Sequence, residues 1–223
     1  MEQTFEWPPL ESDPEIFTKY LYQLGMSDEW KVAEIFGLDE DCLGFVPQPC
    51  LAAIATFERK SPDGKPGSLD NVVKYYMKQS GKLDNACGII ACLHSVLNNL
   101  DSIKIKEESV LAKFIEGTKD LTPAERSNYM EEFKEFQDVH ATFANQGQSS
   151  HPENQEQVKH HFVAFARGPD GKLIEFDGCK DGPSVIAESC EDFLKTVAAE
   201  VTRRLENGII SESISLMALA KNE

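Results

Sequence analysis

Two cysteines stand five residues apart in the segment LDNACGIIACLHSVLNN (83–99), and their positions predict different chemistry. Cys87 falls where a helix would begin, so its thiol would lie at the positive end of the helix dipole, beside unpaired backbone N–H groups. That position favours a thiolate nucleophile, and the same N–H groups can bind an oxyanion. Cys92 falls inside the helix and is predicted to be buried. Simple burial stays the alternative for Cys87 as well.

A cysteine nucleophile needs a base, and the five histidines differ in their suitability. His94 lies seven residues along the same helix, roughly 10 Å from Cys87 along its axis, which is too far. His140 ends a predicted helix, where it can complement the dipole, and His151 lies in a polar loop. The tandem pair at 160–161 opens a predicted strand and therefore supplies the candidate base.

The segments HHFVAFA, RGPDG and LIEFDG predict a strand, a turn and a second strand. If Phe165 pairs with Leu173, then His161 lies opposite Asp177 on the same face, with Cβ atoms about 4.5–5.5 Å apart. A carboxylate at that distance can orient an imidazole, which completes the triad of a thiol hydrolase. A slip of one residue would turn Asp177 to the other face, so a salt-bridged edge hairpin stays open as the alternative.

Gln79 ends the segment NVVKYYMKQ, a predicted strand directly before the cysteine helix. Its side-chain amide can supply a second oxyanion donor beside the backbone N–H groups of the Cys87 turn. A polar residue that merely ends a strand is the alternative.

The elements that must position these residues can be predicted from hydrophobic periodicity and capping residues. The predicted helices are a first from N-cap Ser12 to Gly25, a second over Ser27–Gly37, the cysteine helix, one over Val110–Glu116, one that runs from Thr122 to Phe143, and one near the C-terminus within SCEDFLKTVAAEVTRRLENG. The predicted strands are PCLAAIATFER, NVVKYYMKQ, the two hairpin strands and SISLMALA. We expect one α+β domain over 1–223, with a mostly antiparallel sheet flanked by helices.

Composition limits the partners and the cellular location. The chain has 223 residues and a net charge of −16, which disfavours nucleic acid and anionic membranes and favours a basic protein partner. The N-terminus has no signal-peptide pattern and no segment is long and apolar enough for a membrane span. The six cysteines show no C-x-x-C and no zinc spacing, so we expect reduced thiols, no metal and no cofactor in a cytoplasmic monomer, with nuclear residence left open.

With these residues in view, the sequence resembles the short ubiquitin carboxyl-terminal hydrolases, and most closely the isozyme L3 type. The likeness runs nearly end to end, through WPPLESDPEIF, GLDEDCLGFVPQP, YYMKQ, NACGIIACLH, TPAER, HFVAF, LIEFDG and SLMALA. It implies a papain-like fold with a knotted backbone and a crossover loop, about 144–159, over the active site.

The resemblance implies roles residue by residue. Cys87 matches the nucleophile, His161 the general base and acid, Asp177 the residue that orients the histidine, and Gln79 the oxyanion-hole glutamine. Ubiquitin contacts are implied for two segments that consist of Pro9, Leu10, Glu11, Ser213, Ile214, Ser215 and Leu216.

The chain departs from the family pattern at two places that bear on the site. Ile214 stands where a larger aromatic residue is usual, and the linker SGKLDNA between Gln79 and Cys87 is about two residues longer than usual. The second departure leaves two outcomes open. Either the linker bulges and Gln79 keeps its place, or the oxyanion donor is displaced.

The implied function is a cysteine deubiquitinase that cleaves amide or thioester bonds at the C-terminal glycine of ubiquitin, favouring small or unfolded leaving groups. The alternatives are a ubiquitin-binding module with little activity, and the same hydrolase acting on a ubiquitin-like modifier. A redox protein is disfavoured because there is no C-x-x-C motif.

Overall fold

The computed structural model describes residues 5–63, 65–144 and 160–222. The helices are α1 (Pro14–Leu24), α2 (Glu40–Gly44), α3 (Cys87–Leu97), α4 (Val110–Thr118), α5 (Pro123–Glu132), α6 (Lys134–Ala144) and α7 (Phe193–Glu206). The strands are β1 (Trp30–Glu34), β2 (Cys50–Arg59), β3 (His160–Arg167), β4 (Leu173–Phe176), β5 (Ser184–Ala187) and β6 (Ile210–Lys221). A short 3₁₀ helix spans Gly81–Leu83.

The six strands form one sheet in the order β1-β6-β2-β3-β4-β5, and every neighbouring pair is antiparallel. The last strand of the chain lies between the first two, so both ends of the sequence contribute to the sheet. The predicted α+β class with an antiparallel sheet is confirmed.

Helices cover both faces of this sheet, which explains why β2 reads as a continuous apolar run. Ala52 and Ile54 face the layer that contains α1 and α3, whereas Ala53, Ala55 and Phe57 face the layer that contains α7. All five are buried, because side chains alternate between the faces of a strand and neither face here is open to water.

The central helix α3 is buried over its whole length. A helix that is apolar on all sides belongs in a core, and α3 packs against β2 and β3. Cys92 and His94 are fully buried within it, as predicted. Cys87, at its first position, therefore rests on a rigid element.

The helix predicted over Ser27–Gly37 is wrong, because this segment contains the edge strand β1. Trp30 and Val32 alternate with more exposed neighbours, and β1 pairs with β6 near the other end of the chain. The short helix α2, capped by the side chain of Asp39, was not predicted.

The strand predicted for NVVKYYMKQ is also wrong, since this segment pairs with none of the strands that the structure describes. Three of its backbone N–H groups donate to side chains of the α3 region, and those of Lys78 and Gln79 donate to the backbone carbonyls of Pro123 and Gly178. Lys74 and Tyr75 donate to the Asn98 side-chain oxygen, each at 3.1 Å, and Met77 donates to His94 Nε2 at 3.1 Å. The segment is thereby fixed beside the cysteine helix.

Two helix boundaries differ from the sequence-based prediction. The N-cap of α1 is Asp13, whose carboxylate accepts two backbone N–H groups, and not Ser12, although Gly25 ends the helix in the left-handed conformation as expected. The helix predicted from Thr122 to Phe143 is two helices, because Phe133 adopts an extended conformation between them.

The predicted crossover loop, about 144–159, lies outside the described residues except for Ala144, which ends α6. The predicted backbone knot depends on the path of that segment and stays a prediction. Among the residues that the structure describes, no helix is long and apolar enough to cross a membrane.

Candidate active site

Cys87 is the first residue of α3, and its side chain is mostly buried, with 6% of the residue exposed. The N-cap residue, Ala86, has no side chain that can accept from the first turn. Backbone N–H groups at the start of the helix are therefore available beside the sulfur, and the helix dipole favours negative charge there. This is the local environment that the sequence predicted.

His161 Nε2 and a carboxylate oxygen of Asp177 are 2.7 Å apart, so the structure brings together the predicted pair. The carboxylate can only accept, so Nε2 carries the hydrogen and Nδ1 is the ring nitrogen that remains. The Cys87 thiol is close enough to the imidazole to help raise its pKa. The thiol, the imidazole and the carboxylate thus form one connected constellation.

The hairpin register differs from the predicted one by two residues. Phe165 pairs with Glu175, and Ala164 pairs with Phe176, instead of the predicted pairing of Phe165 with Leu173. A shift of two keeps every side chain on its face. Asp177 therefore follows the end of β4 and reaches His161 diagonally, although the two residues are not directly opposite.

The electrostatics of the pair favour an imidazolium beside a carboxylate. Burial by itself lowers the pKa of His161, but the hydrogen bond to Asp177, the neighbouring Cys87 thiol and the charges of both groups raise that pKa to about 9. Burial raises the pKa of Asp177, but His161 and Arg59 outweigh it and hold this pKa well below its usual range. A cation at His161 stabilises negative charge on a neighbouring sulfur.

Three further groups hold Asp177, and the sequence reasoning missed all of them. Arg59, the last residue of β2, donates to Asp177 Oδ2 at 2.7 Å. The backbone N–H of Cys179 donates to Oδ1 at 3.0 Å, and the Tyr76 hydroxyl lies 2.7 Å from the Asp177 carbonyl oxygen. The one signal in the sequence was the cationic Arg59 at the end of an otherwise apolar strand, and it did not indicate which residue would pair with it.

His94 supports this arrangement from the core. Its ring stacks on that of Tyr76 with an interplanar angle of 2°, and its Nε2 accepts the Met77 N–H. Burial lowers the pKa of His94 to about 3, so the ring is neutral. The residue positions the segment before Gln79 and takes no part in the chemistry, in agreement with its predicted role.

Gln79 lies beside the site, and the longer linker affects its amide. The linker contains the 3₁₀ helix Gly81–Leu83, and the Gln79 backbone N–H donates to the Gly178 carbonyl at 2.8 Å. The side-chain Nε2 donates to the Asp84 carbonyl at 2.7 Å. One amide hydrogen is therefore taken by the linker and a second remains, so the oxyanion role of Gln79 stays a prediction.

A cavity of about 300 Å³ opens beside Cys87. It is lined by Pro9, Leu10, Ser12, Thr56, Asn85, Cys87, His160, Phe162, Ser213, Ile214 and Ser215. Ser12 Oγ donates to Ser215 Oγ at 3.0 Å, which joins the N-terminal and C-terminal segments at its edge.

Five of the seven residues implied as ubiquitin contacts therefore lie around one cavity next to the sulfur. The other two do not line it. Leu216 is 5% exposed and pairs with Ala55 inside the sheet, and Glu11 is partly buried beside Leu10.

All six cysteines are free thiols, and one of them besides Cys87 lies at the site. Cys179 is exposed, and its sulfur, a ring nitrogen of His161 and a carboxylate oxygen of Asp177 lie within 4.8 Å of one another. These three side chains are the group that could hold a metal ion among the described residues.

The fold and the site together define a cysteine hydrolase of papain-like architecture, with a thiol at a helix N-terminus and an imidazole and carboxylate supplied by the sheet. Residues 7–206 match the family model described as ubiquitin carboxyl-terminal hydrolase, family 1. The chain belongs to this family.

Individual relatives support this family assignment. A probable ubiquitin carboxyl-terminal hydrolase of Dictyostelium discoideum is 35% identical over 99% of this chain and 90% of its own. The enzyme of Aplysia californica is 35% identical over 89% and 94%, and isozyme L1 of Rattus norvegicus is 33% identical over 87% and 89%. The predicted likeness to the L3 type in particular stays a prediction.

The fold is shared with the Trichinella spiralis UCH37 catalytic domain, whose crystal structure contains bound ubiquitin vinyl methyl ester. The TM-score is 0.76, with 23% sequence identity over 98% of this chain and 96% of that one.

Proposed function

We propose that the protein is a cysteine deubiquitinase that hydrolyses amide or thioester bonds at the C-terminal glycine of ubiquitin. The observation that carries the proposal is the connected set of Cys87, His161 and Asp177, with 2.7 Å between the imidazole and the carboxylate. Family membership supplies the substrate class, because the curated relatives are named as ubiquitin carboxyl-terminal hydrolases.

The geometry assigns each group a step. The Cys87 thiolate attacks the glycine carbonyl, and the protonated His161 gives its hydrogen to the leaving amine or thiol as the tetrahedral intermediate collapses. His161 then takes a proton from the water that attacks the thioester, and the sulfur is released. Asp177 holds the imidazole in one orientation and tautomer throughout. Backbone N–H groups at the start of α3 and the Gln79 amide stabilise the oxyanion.

Ubiquitin is the proposed partner. The cavity beside Cys87 lies between the N-terminal segment and the start of β6, so a C-terminal tail that occupies it would reach the sulfur while the globular part contacts both segments. The net charge of −16 favours association with a basic partner.

The leaving-group preference, the oligomeric state and the cellular location are proposed from the sequence and from its resemblance to the family. A crossover loop near 144–159 would admit small or unfolded leaving groups more readily than folded conjugates. We further propose that 1–223 acts as one catalytic domain that is monomeric, has no nucleic acid or membrane partner and works in the cytoplasm, with nuclear residence left open.

Hydrolysis of a fluorogenic amide at the ubiquitin C-terminus tests the proposal. Cys87→Ala should abolish turnover and adduct formation with an electrophilic ubiquitin probe, whereas Cys92→Ala on the same helix should retain both. Wild-type turnover in Cys87→Ala would contradict the assignment of the nucleophile.

The same experiment separates the alternatives. Ubiquitin binding without turnover or adduct by the wild-type protein would identify a ubiquitin-binding module. Faster reaction with a probe built on a ubiquitin-like modifier than with the ubiquitin probe would identify that modifier as the substrate.

A further inference from the structure

The thiol of Cys179 has no part in the proposed hydrolysis, yet it lies at the two residues that activate the nucleophile. Its sulfur, a ring nitrogen of His161 and an oxygen of Asp177 are within 4.8 Å of one another. Asp177 is fully buried and His161 is mostly buried, whereas Cys179 is exposed to solvent. The group therefore combines two fixed ligand atoms with one that solvent can reach.

These three atoms are the kinds that zinc prefers. Thiolate sulfur, imidazole nitrogen and carboxylate oxygen bind Zn²⁺ at roughly 2.0–2.3 Å, which places the ligand atoms of a tetrahedral site roughly 3–4 Å from one another. The observed spacing allows that geometry after a shift of about 1 Å, which the exposed Cys179 side chain can make by rotation. Three protein ligands leave a fourth position for water.

The surrounding contacts leave the relevant carboxylate oxygen available. Arg59 occupies Asp177 Oδ2, whereas Oδ1 faces both His161 and the Cys179 backbone N–H. A metal ion can take Oδ1 in exchange for the His161 hydrogen bond, while Arg59 keeps the carboxylate oriented. Outer contacts of this kind fix the direction of metal ligands. The net charge of −16 raises the local concentration of cations.

We propose that His161, Asp177 and Cys179 form an inhibitory binding site for a zinc-class divalent cation. Binding releases the protons of the Cys179 thiol and of His161 to solvent and ties both the imidazole and its orienting carboxylate to the metal. The metal-bound imidazole can then neither protonate the leaving group nor take a proton from the attacking water. The inhibition rests on the proposed hydrolase function, but the metal site itself does not.

Cobalt binding tests the site directly, because a thiolate bound to Co²⁺ gives a sulfur-to-metal charge-transfer band. The metal-free full-length protein is titrated with CoCl₂ as wild type, Cys179→Ser, Cys87→Ser and Cys92→Ser. We expect the band in the wild type and in the last two variants, and its loss in Cys179→Ser. No band in the wild type, or an equal band in Cys179→Ser, would overturn the proposal. A band lost only in Cys87→Ser would place the metal on the nucleophile and would overturn it too.

Zinc inhibition of ubiquitin-amide hydrolysis is the second measurement. The half-inhibitory Zn²⁺ concentration, measured against each protein's own metal-free activity, should rise at least about tenfold in Cys179→Ser. An equal Zn²⁺ sensitivity of the two proteins would refute the inhibitory role. Mg²⁺, which prefers oxygen ligands, serves as the control and should not inhibit either protein. If the wild type were inactive, the cobalt spectrum would still test the site, so failure of the proposed function and failure of the metal site are distinguishable.

Discussion

Arg59 and Asp177 form an ion pair of 2.7 Å on the carboxylate oxygen that does not face His161. Arg59 ends β2, so a residue 118 positions upstream in the sequence holds the carboxylate that orients the base. A single arginine thereby couples the central strand of the sheet to the proposed catalytic constellation.

Arg59→Ala should lower kcat about tenfold and leave KM for a ubiquitin amide nearly unchanged, because the arginine touches the orienting carboxylate and not the substrate. Arg59→Lys should recover part of the loss, since it restores the charge but not the planar guanidinium. Steady-state kinetics measure both variants. Arg167→Ala, at the far end of β3, is the matched control. A rise in KM with kcat intact would assign Arg59 to substrate binding instead.

Gln79→Ala should lower kcat about 10²-fold if its free amide hydrogen reaches the oxyanion. Its Tm should stay near that of the wild type, because the backbone bond to Gly178 remains. Single-turnover kinetics with the ubiquitin amide measure the chemical step. Gln137→Ala, which removes a glutamine from α6, is the control. Unchanged acylation in Gln79→Ala would show that the longer linker has displaced the oxyanion donor.

Ile214→Ala should raise KM for ubiquitin substrates about tenfold with little change in kcat, because the side chain lines the cavity and lies away from the reacting atoms. Val72→Ala, an exposed apolar residue elsewhere, should leave both constants unchanged. Inhibition by free ubiquitin gives an independent measure of binding. Wild-type KM in the Ile214 variant would exclude this cavity wall from substrate binding.

We predict that the folded protein loses stability in acid because of His140. Its Nε2 donates to the Pro8 carbonyl and its Nδ1 accepts from Tyr20, so the ring is neutral, and burial lowers its pKa to about 4. In the unfolded chain His140 has a pKa near 6.5 and binds a proton more readily than in the folded protein. The contribution of neutral His140 to the free energy of unfolding is therefore complete above about pH 6.5 and is lost as the pH falls toward 4. Lowering the pH from 7.5 to 5.0 should reduce the free energy of unfolding by about 2 kcal/mol through His140.

Urea unfolding of the wild type and of His140→Gln measures that contribution. The variant should be less stable at pH 7.5, and the difference between the two proteins should narrow by about 2 kcal/mol at pH 5.0. Other titrating groups cancel in this comparison. A difference that does not change with pH would mean that His140 keeps an ordinary pKa.

Arg204 on α7 is 1% exposed and lies 2.5 Å from Glu175, which is fully buried in β4. Arg204→Met should lower the free energy of unfolding by about 3–5 kcal/mol, because it leaves a buried carboxylate without one of its cations. The adjacent Arg203→Met should cost less than about 1 kcal/mol, since that side chain is 38% exposed. Urea unfolding at neutral pH compares the two variants. Lys180 Nζ also lies 2.7 Å from a Glu175 carboxylate oxygen, and equal small losses would show that this cation by itself is sufficient for Glu175.

Local signals were sufficient where a residue's role follows from its neighbours in the chain. The helix start at Cys87, the buried thiol of Cys92, the apolar strand β2 and the hairpin that presents His161 could all be predicted, because capping, dipole and periodicity act over a few residues. The face shared by His161 and Asp177 was also predicted, and it survived a register error of two because side chains alternate with a period of two.

The predictions that were wrong concern segments whose structure depends on partners far away in the sequence. The segment from Ser27 to Gly37 contains a strand because β6, nearly 190 residues later, offers it an edge. NVVKYYMKQ is not a strand, because the side chains of Asn98 and His94 accept three of its backbone N–H groups in place of a neighbouring strand. Pairing partners that are distant in sequence leave no local signal, and tertiary contacts override propensity.

The sequence by itself determined the family, the antiparallel α+β class and the identity of the thiol, imidazole and carboxylate, because these are carried by motifs and by short-range order. Only the tertiary structure showed that Arg59 and Tyr76 hold Asp177, that the linker takes an amide hydrogen of Gln79, and that Cys179 lies against the proposed base. Each of these is a contact between elements from distant parts of the chain or a side-chain direction at a loop. Packing of the whole chain fixes both, and hydrophobic pattern specifies neither.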